Sequence, residues 1–209
     1  MQLILPRPRR FGLLAALCAL GGSAIPAIPS QAVPLTVIVN DENGQPLANA
    51  VVSIQVQGAA VRAATSARAE LAQRGRRFVP SVLVVQTGTA VQFPNFDTVR
   101  HHVYSFSQAK TFELKLYAGT PSAPIVFDKA GTAILGCNIH DKMAAHVRVV
   151  DTPYFATTDA NGRAQIDLPP GEHTLSTWHP GLAAELPAPS QPVRIGSDAA
   201  KLTVQLKAS

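Results

Sequence analysis

The chain has 209 residues, 46% of them hydrophobic and 15% charged, with 18 Lys and Arg against 13 Asp and Glu for a formal charge of +5. No stretch approaches the roughly 20 consecutive apolar residues that a membrane-spanning helix requires, so no membrane span is expected. Nucleic acid is excluded as a partner on similar grounds, because no dense Lys/Arg stripe with interleaved aromatics is present.

At the N-terminus, Arg7, Arg9 and Arg10 precede an apolar run from Phe11 to Leu20, followed by small residues, prolines and Ser30-Gln31-Ala32. Basic, apolar and small-residue regions in that order predict a secretory signal peptide over residues 1–32 and a mature protein in the periplasm. A lipid anchor on Cys18 competes with this reading, although Leu17 is bulkier than the small residue such processing needs. Cleavage leaves 15 basic and 13 acidic side chains, a formal charge of +2, with Cys137 the one cysteine and Met143 the one methionine. In an oxidising compartment, a lone Cys137 is buried and inert, paired with another molecule, or a ligand.

Beyond the leader, nearly every regular segment is short, β-branched and bounded by turn formers. Strands are predicted over Leu35–Asn40, Ala50–Gln57, Ser81–Val85, Ala90–Phe93, His102–Phe106, Ile125–Asp128, Ala133–Leu135 and His146–Val150. This pattern predicts an all-β sandwich or barrel. Asp41-Glu42-Asn43-Gly44 and Asp159-Ala160-Asn161-Gly162 supply tight turns. Only Ala63–Gln73 has helix-forming composition, and its alanine-rich face predicts a loop or a short surface helix. The arginines at 62, 68, 74, 76 and 77 are read first as a solvated linker and second as a patch that steers an acidic partner.

Residues 35–56, with the turn Asp41 to Pro46 followed by a strand, resemble the opening of a carboxypeptidase regulatory-like, transthyretin-like sandwich. Residues 156–180 resemble the later half of the same domain, displaced by about ninety residues. The resemblance implies a host sandwich built from residues 33–58 and 153–209, with residues 59–152 inserted in one of its loops. One continuous β domain with coincidental turn motifs is the alternative.

The chemistry gathers in Gly136-Cys137-Asn138-Ile139-His140-Asp141-Lys142-Met143, which spaces a thiol, an imidazole and a thioether three residues apart after a predicted strand. A second imidazole is available from the pair His101-His102, where a polar loop passes into another strand. Two imidazoles and a thiolate with a weak axial thioether define a blue-copper site, whose mixed donors suit Cu(I) and Cu(II) about equally. Zinc remains open through Cys137 and the histidines, though Met is a poor zinc ligand. Strand alternation allows only one of His101 and His102 to face the metal.

These residues also carry a resemblance to the cupredoxins. Cys-x2-His-x2-Met is similar to the amicyanin type of ligand loop, and Phe78-Val79-Pro80, Val91-Gln92-Phe93-Pro94-Asn95 and His101-His102-Val103 are similar to the segments before the first ligand. The chain also resembles bacterial methylamine utilisation proteins. The resemblance implies a Greek-key β-sandwich, one type 1 copper held by His101, Cys137, His140 and Met143, and single-electron transfer with a redox protein partner. His102 stands where many cupredoxins have asparagine, which leaves two candidates, and matching to the family favours His101, with His102 beside the ligand or at the surface. The resemblance implies an electron carrier rather than an enzyme. Copper delivery, or adhesion with an accessory copper domain, are the competing functions.

Overall fold

A computed structural model describes residues 32–181 and 188–207. The leader expected over residues 1–32, with Cys18, lies outside the described residues except for Ala32. Among the described residues every regular element is a strand, and no helix is long and apolar enough to cross a membrane.

The chain opens with β1 (Val33–Asn40) and β2 (Val51–Gln55). Ten strands follow before it returns. They are β3 (Arg68–Glu70), β4 (Ala72–Arg74), β5 (Arg77–Val79), β6 (Val82–Gln86), β7 (Thr89–Gln92), β8 (His101–Ser107), β9 (Lys110–Tyr117), β10 (Ile125–Phe127), β11 (Gly131–Cys137) and β12 (Ala144–Val150). The last five are β13 (Phe155–Thr157), β14 (Arg163–Leu168), β15 (Gly171–Trp178), β16 (Ser190–Ile195) and β17 (Ala200–Gln205).

The first two and last five strands form two sheets, ordered β14-β1-β17 and β13-β2-β15-β16. In β1 burial alternates strictly, so Val33, Leu35, Val37 and Val39 face inward. They meet Val52 and Ile54 of β2, Ile166 and Leu168 of β14 and Leu175 of β15 in one apolar core. The period of two is what a half-buried strand requires.

The ten intervening strands enclose a separate core between the sheet β6-β12-β11-β8-β9 and the sheet β10-β7-β3. Phe93 and Phe127 are 1% and 0% exposed, and burying each aromatic side chain contributes about 1.5–3 kcal/mol. Phe112 bridges them at ring separations of 5.4 and 6.1 Å. The chain leaves and re-enters the first pair of sheets at adjacent points. The Ile54 N–H donates to the Tyr154 carbonyl at 2.8 Å, and the Thr152 hydroxyl donates to the Ile54 carbonyl at 2.6 Å.

One expectation is corrected. Ala63–Gln73 contains no helix: residues 63–67 are a loop, as one of the two readings had it, but the second half enters β3 and β4, with Leu71 and Gln73 fully buried. The N–H groups of Leu71 and Gln73 donate to the carbonyls of Gln92 and Pro94, both at 2.9 Å. Long-range pairing outweighs the small helix preference of alanine, which is only tenths of a kcal/mol per residue. The strand β9, unmarked in the sequence reading, alternates partly buried apolar residues with Thr111, Glu113 and Lys115.

Candidate metal centre

The centre lies where β8 begins and β11 ends. The two strands pair antiparallel with Cys137 opposite Val103 and Gly136 opposite Tyr104, which sets the start of β8 beside the thiol. Within β8, His101 and Val103 are fully buried and His102 faces the other way, as alternation demands. The His102 Nε2 stands 2.8 Å from Glu113 Oε1, on the face of the strand turned away from the thiol.

After Cys137 the chain folds back on itself. The Asn138 N–H donates to the His102 carbonyl at 3.3 Å, the His140 N–H to the Cys137 carbonyl at 3.5 Å and the Met143 N–H to the His140 carbonyl at 2.9 Å. These bonds curl the loop so that His140 returns toward Cys137. Cys137 Sγ stands 3.7 Å from His101 Nδ1 and 3.8 Å from His140 Nδ1, and all three donor atoms lie within 4.8 Å of one another. Met143 is 2% exposed and belongs to the same buried cluster as Cys137.

Those separations can be tested against a bound ion. Metal–sulfur and metal–nitrogen bonds of about 2.3 and 2.0 Å, opened to a trigonal angle, separate the two donors by about 3.7 Å. The observed 3.7 and 3.8 Å match that spacing. With the chemistry of the donors, a soft thiolate and two imidazoles beside a buried thioether, the residues present fit a copper ion.

The second ring nitrogen of His101 is also occupied. Its Nε2 lies 2.8 Å from Asp97 Oδ2, and the Asp97 carboxylate accepts N–H groups from Gly75 at 2.6 Å and Arg76 at 2.9 Å. Burial pushes the Asp97 carboxyl up, but the Arg76 N–H, the His101 ring and the Gly75 N–H outweigh it and hold the group below the usual carboxylate range. Nearby, Tyr117 donates its hydroxyl to the Phe93 carbonyl at 2.7 Å and accepts from Gln73 Nε2. Burial, with the negative field of Cys137, pushes the phenol up to about 12. Tyr117 therefore remains a neutral donor at any ordinary pH.

The structure thus brings His101, Cys137 and His140 to one point, with Met143 in the same core cluster. His102 lies outside that group. In the sequence Asp97 and Gly75 carry no signal of this role, and Arg76 stands out only as one of several arginines. The only local hint is the Asn95-Phe96-Asp97 turn, in which Asn95 Oδ1 accepts the Asp97 N–H at 2.9 Å. The other histidines lie elsewhere. His173 Nε2 donates to the Pro169 carbonyl at 2.8 Å. His146 is half-buried against Trp178, with ring centres 5.7 Å apart.

No family model matches the chain, and no curated protein matches it. Among solved structures, a purple cupredoxin from Nitrosopumilus maritimus aligns at 22% identity, covering 39% of this chain and 98% of that one, with a TM-score of 0.35. Amicyanin from Paracoccus versutus aligns at 14% identity over 47% of this chain and 96% of that one, with a TM-score of 0.34. A copper-containing nitrite reductase from Thermus scotoductus aligns at 26% identity over 39% of this chain and 22% of that one, with a TM-score of 0.37.

Proposed function

We propose that this chain is an exported, cupredoxin-type electron carrier that holds one type 1 copper ion on His101, Cys137, His140 and Met143. The observation that carries the reading is the spacing of Cys137 Sγ from the two imidazole nitrogens, 3.7 and 3.8 Å, which suits a trigonal site. Bound copper would supply a single-electron couple between Cu(I) and Cu(II).

The chain's own residues prepare that couple. His101 is fully buried and Cys137 and Met143 are 5% and 2% exposed, so water is kept from three of the four donors. Rigid donors limit how far atoms move when the charge changes. His140 is the partly exposed donor, and it offers the electron a short exit. The segments that supply the two histidines also expose Phe96, Val99 and Ile139. Exposed Arg74, Arg76, Arg77, Arg100 and Lys142 accompany them, with Asp141 as an exposed acid. An apolar contact zone edged by cations favours an acidic redox protein as partner, since charge complementarity chiefly raises encounter rates.

Buried donors also favour carrying electrons over delivering copper, because release would require opening the core. Four donors leave the ion no open position for substrate, so an enzyme is not proposed. We read residues 59–152 as the copper domain, inserted in a host formed by residues 33–58 and 153–209. The side-by-side crossings at Ile54 and Tyr154 support that division. We take residues 1–32 as the leader that brings the protein to the periplasm.

The test is to add Cu(II) to the purified protein and record visible and electron paramagnetic resonance spectra. A strong thiolate-to-copper absorption that disappears in Cys137→Ser and His140→Ala is expected. A colourless protein, or a spectrum unaffected by Cys137→Ser, would refute the reading. Rapid loss of copper to a competing Cu(I) chelator would favour delivery instead.

A further inference from the structure

The ring of His101 has no solvent contact, so protein groups alone fix its orientation. One ring nitrogen, Nδ1, faces Cys137 Sγ at 3.7 Å, and the other, Nε2, faces Asp97 Oδ2 at 2.8 Å. With the Nε2 hydrogen directed at the carboxylate, the Nδ1 lone pair is left for a metal.

The carboxylate itself is immobilised. Oδ1 accepts the Gly75 N–H at 2.6 Å, and Oδ2 is shared between the Arg76 N–H at 2.9 Å and the His101 ring. The backbone of Asp97 is fixed through Asn95, whose amide also donates to the Val99 and Tyr117 carbonyls at 2.9 and 3.0 Å. The clamp comes from the turn between β4 and β5, where Arg74 pairs with Arg77 and the two residues between them have positive φ. Gly75 has φ 59° and Arg76 has φ 57°. Two successive left-handed residues mark a type I′ turn, in which the second position favours glycine. Successive backbone N–H groups in such a turn can form a concave anion site. Arginine held there is backbone strain, and strain of this kind persists where surrounding structure holds it in place. Here its N–H reaches the oxygen that also meets His101.

We propose that Asp97 is a positioning residue of the metal centre, gripped by the Gly75-Arg76 turn so that it orients His101 and places a negative charge behind that ligand, favouring oxidised copper over reduced. The inference rests on the copper reading above. A partner of this kind on a ligating histidine fixes the tautomer and raises ligand basicity, and its removal commonly costs about 10- to 100-fold in metal affinity. Negative charge stabilises Cu(II) more than Cu(I), so its loss raises the reduction potential.

Three measurements on the full protein test this. In the metal-free protein, a low-field imidazole N–H proton resonance protected from solvent exchange is expected for His101, and it is lost in Asp97→Ala. In the copper protein, Asp97→Asn keeps the thiolate absorption but raises the reduction potential and weakens Cu(II) binding by about 10- to 100-fold in competition titrations. Glu113→Gln, which removes the acid beside His102, shifts the potential less. An N–H resonance that survives Asp97→Ala overturns the proposal. So does an unchanged potential in Asp97→Asn, or an equal shift in Glu113→Gln. A wild-type protein that takes up no copper refutes the functional reading and the claim about oxidation state with it. The metal-free resonance still decides whether Asp97 orients His101.

Discussion

The ring of Tyr104 lies directly over the backbone of Gly136, so close that a Cβ on Gly136 would meet the phenol oxygen at 2.7 Å and Cζ at 2.8 Å. Tyr104 and Gly136 are register partners of β8 and β11, and the next residue is the candidate thiolate Cys137. A missing side chain thus lets an aromatic ring cover the strand beside the metal loop. Gly136→Ala should push the half-buried ring aside and destabilise the protein by about 1 kcal/mol, the low end of what overpacking costs. Urea unfolding measures this loss. Adding Tyr104→Ala should recover part of it, because contacting residues do not act additively.

The two adjacent histidines should behave differently. His101→Ala removes a donor from a fully buried ring and should abolish the thiolate-to-copper absorption. His102→Ala removes a ring that meets Glu113 on the outer face and should leave the absorption in place. Its stability cost should be about 1 kcal/mol, the usual scale of a single substitution. Visible spectra of the two variants decide the point.

At the contact between the two cores, Val51, Val82 and Trp178 pack together, with the His146 ring 5.7 Å and the Arg148 guanidinium 5.6 Å from the indole. Burial, and then the neighbouring His179, hold the His146 imidazole below its ordinary range, and burial also lowers His179. A histidine whose folded pKa is depressed contributes stability that is present above the unfolded value, about 6.5, and lost as pH falls through the folded pKa. Stability should therefore decline below about pH 6.5. Trp178 is the one tryptophan and is 2% exposed, so its fluorescence reports this contact. His146→Phe should flatten the pH dependence of the Trp178 signal, while an unchanged profile would remove His146 from the account.

Gly162 closes the turn between β13 and β14 with φ 69°, and an added Cβ would sit 2.4 Å from the Val39 carbonyl and 3.0 Å from the Leu47 nitrogen. Neither backbone atom can move cheaply, because the Leu47 N–H donates to that same Val39 carbonyl at 2.9 Å. Gly162→Ala should lower stability by roughly 2 kcal/mol or more, combining backbone strain with the clash. The copper absorption of the folded protein should not change, since this turn belongs to the core around β1. Thermal unfolding followed by circular dichroism, read beside the visible spectrum, checks both outcomes.

Much of this was legible in the residues. The β-branched segments and Asp-Asn-Gly turns predicted an all-β chain, because period-two burial and positive-φ turns leave local marks. Cys137, His140 and Met143 stand three apart within one loop, so their meeting needs only that loop to curl. The segment Ala63–Gln73 misled the reading because alanine composition speaks of helix, whereas its fate was decided by Gln92 and Pro94, carbonyls some twenty residues away.

By itself, then, the sequence determined the strand-rich class and the spacing of the candidate donors Cys137, His140 and Met143, both of which follow from neighbours along the chain. Only the tertiary structure decided that His101 faces Cys137 while His102 turns to Glu113, since that depends on the pairing register of β8 and β11. It alone brought the Gly75-Arg76 turn to Asp97 and so to His101. The two bonds from the turn to Asp97 span more than twenty residues, through backbone N–H groups that every sequence possesses and none advertises.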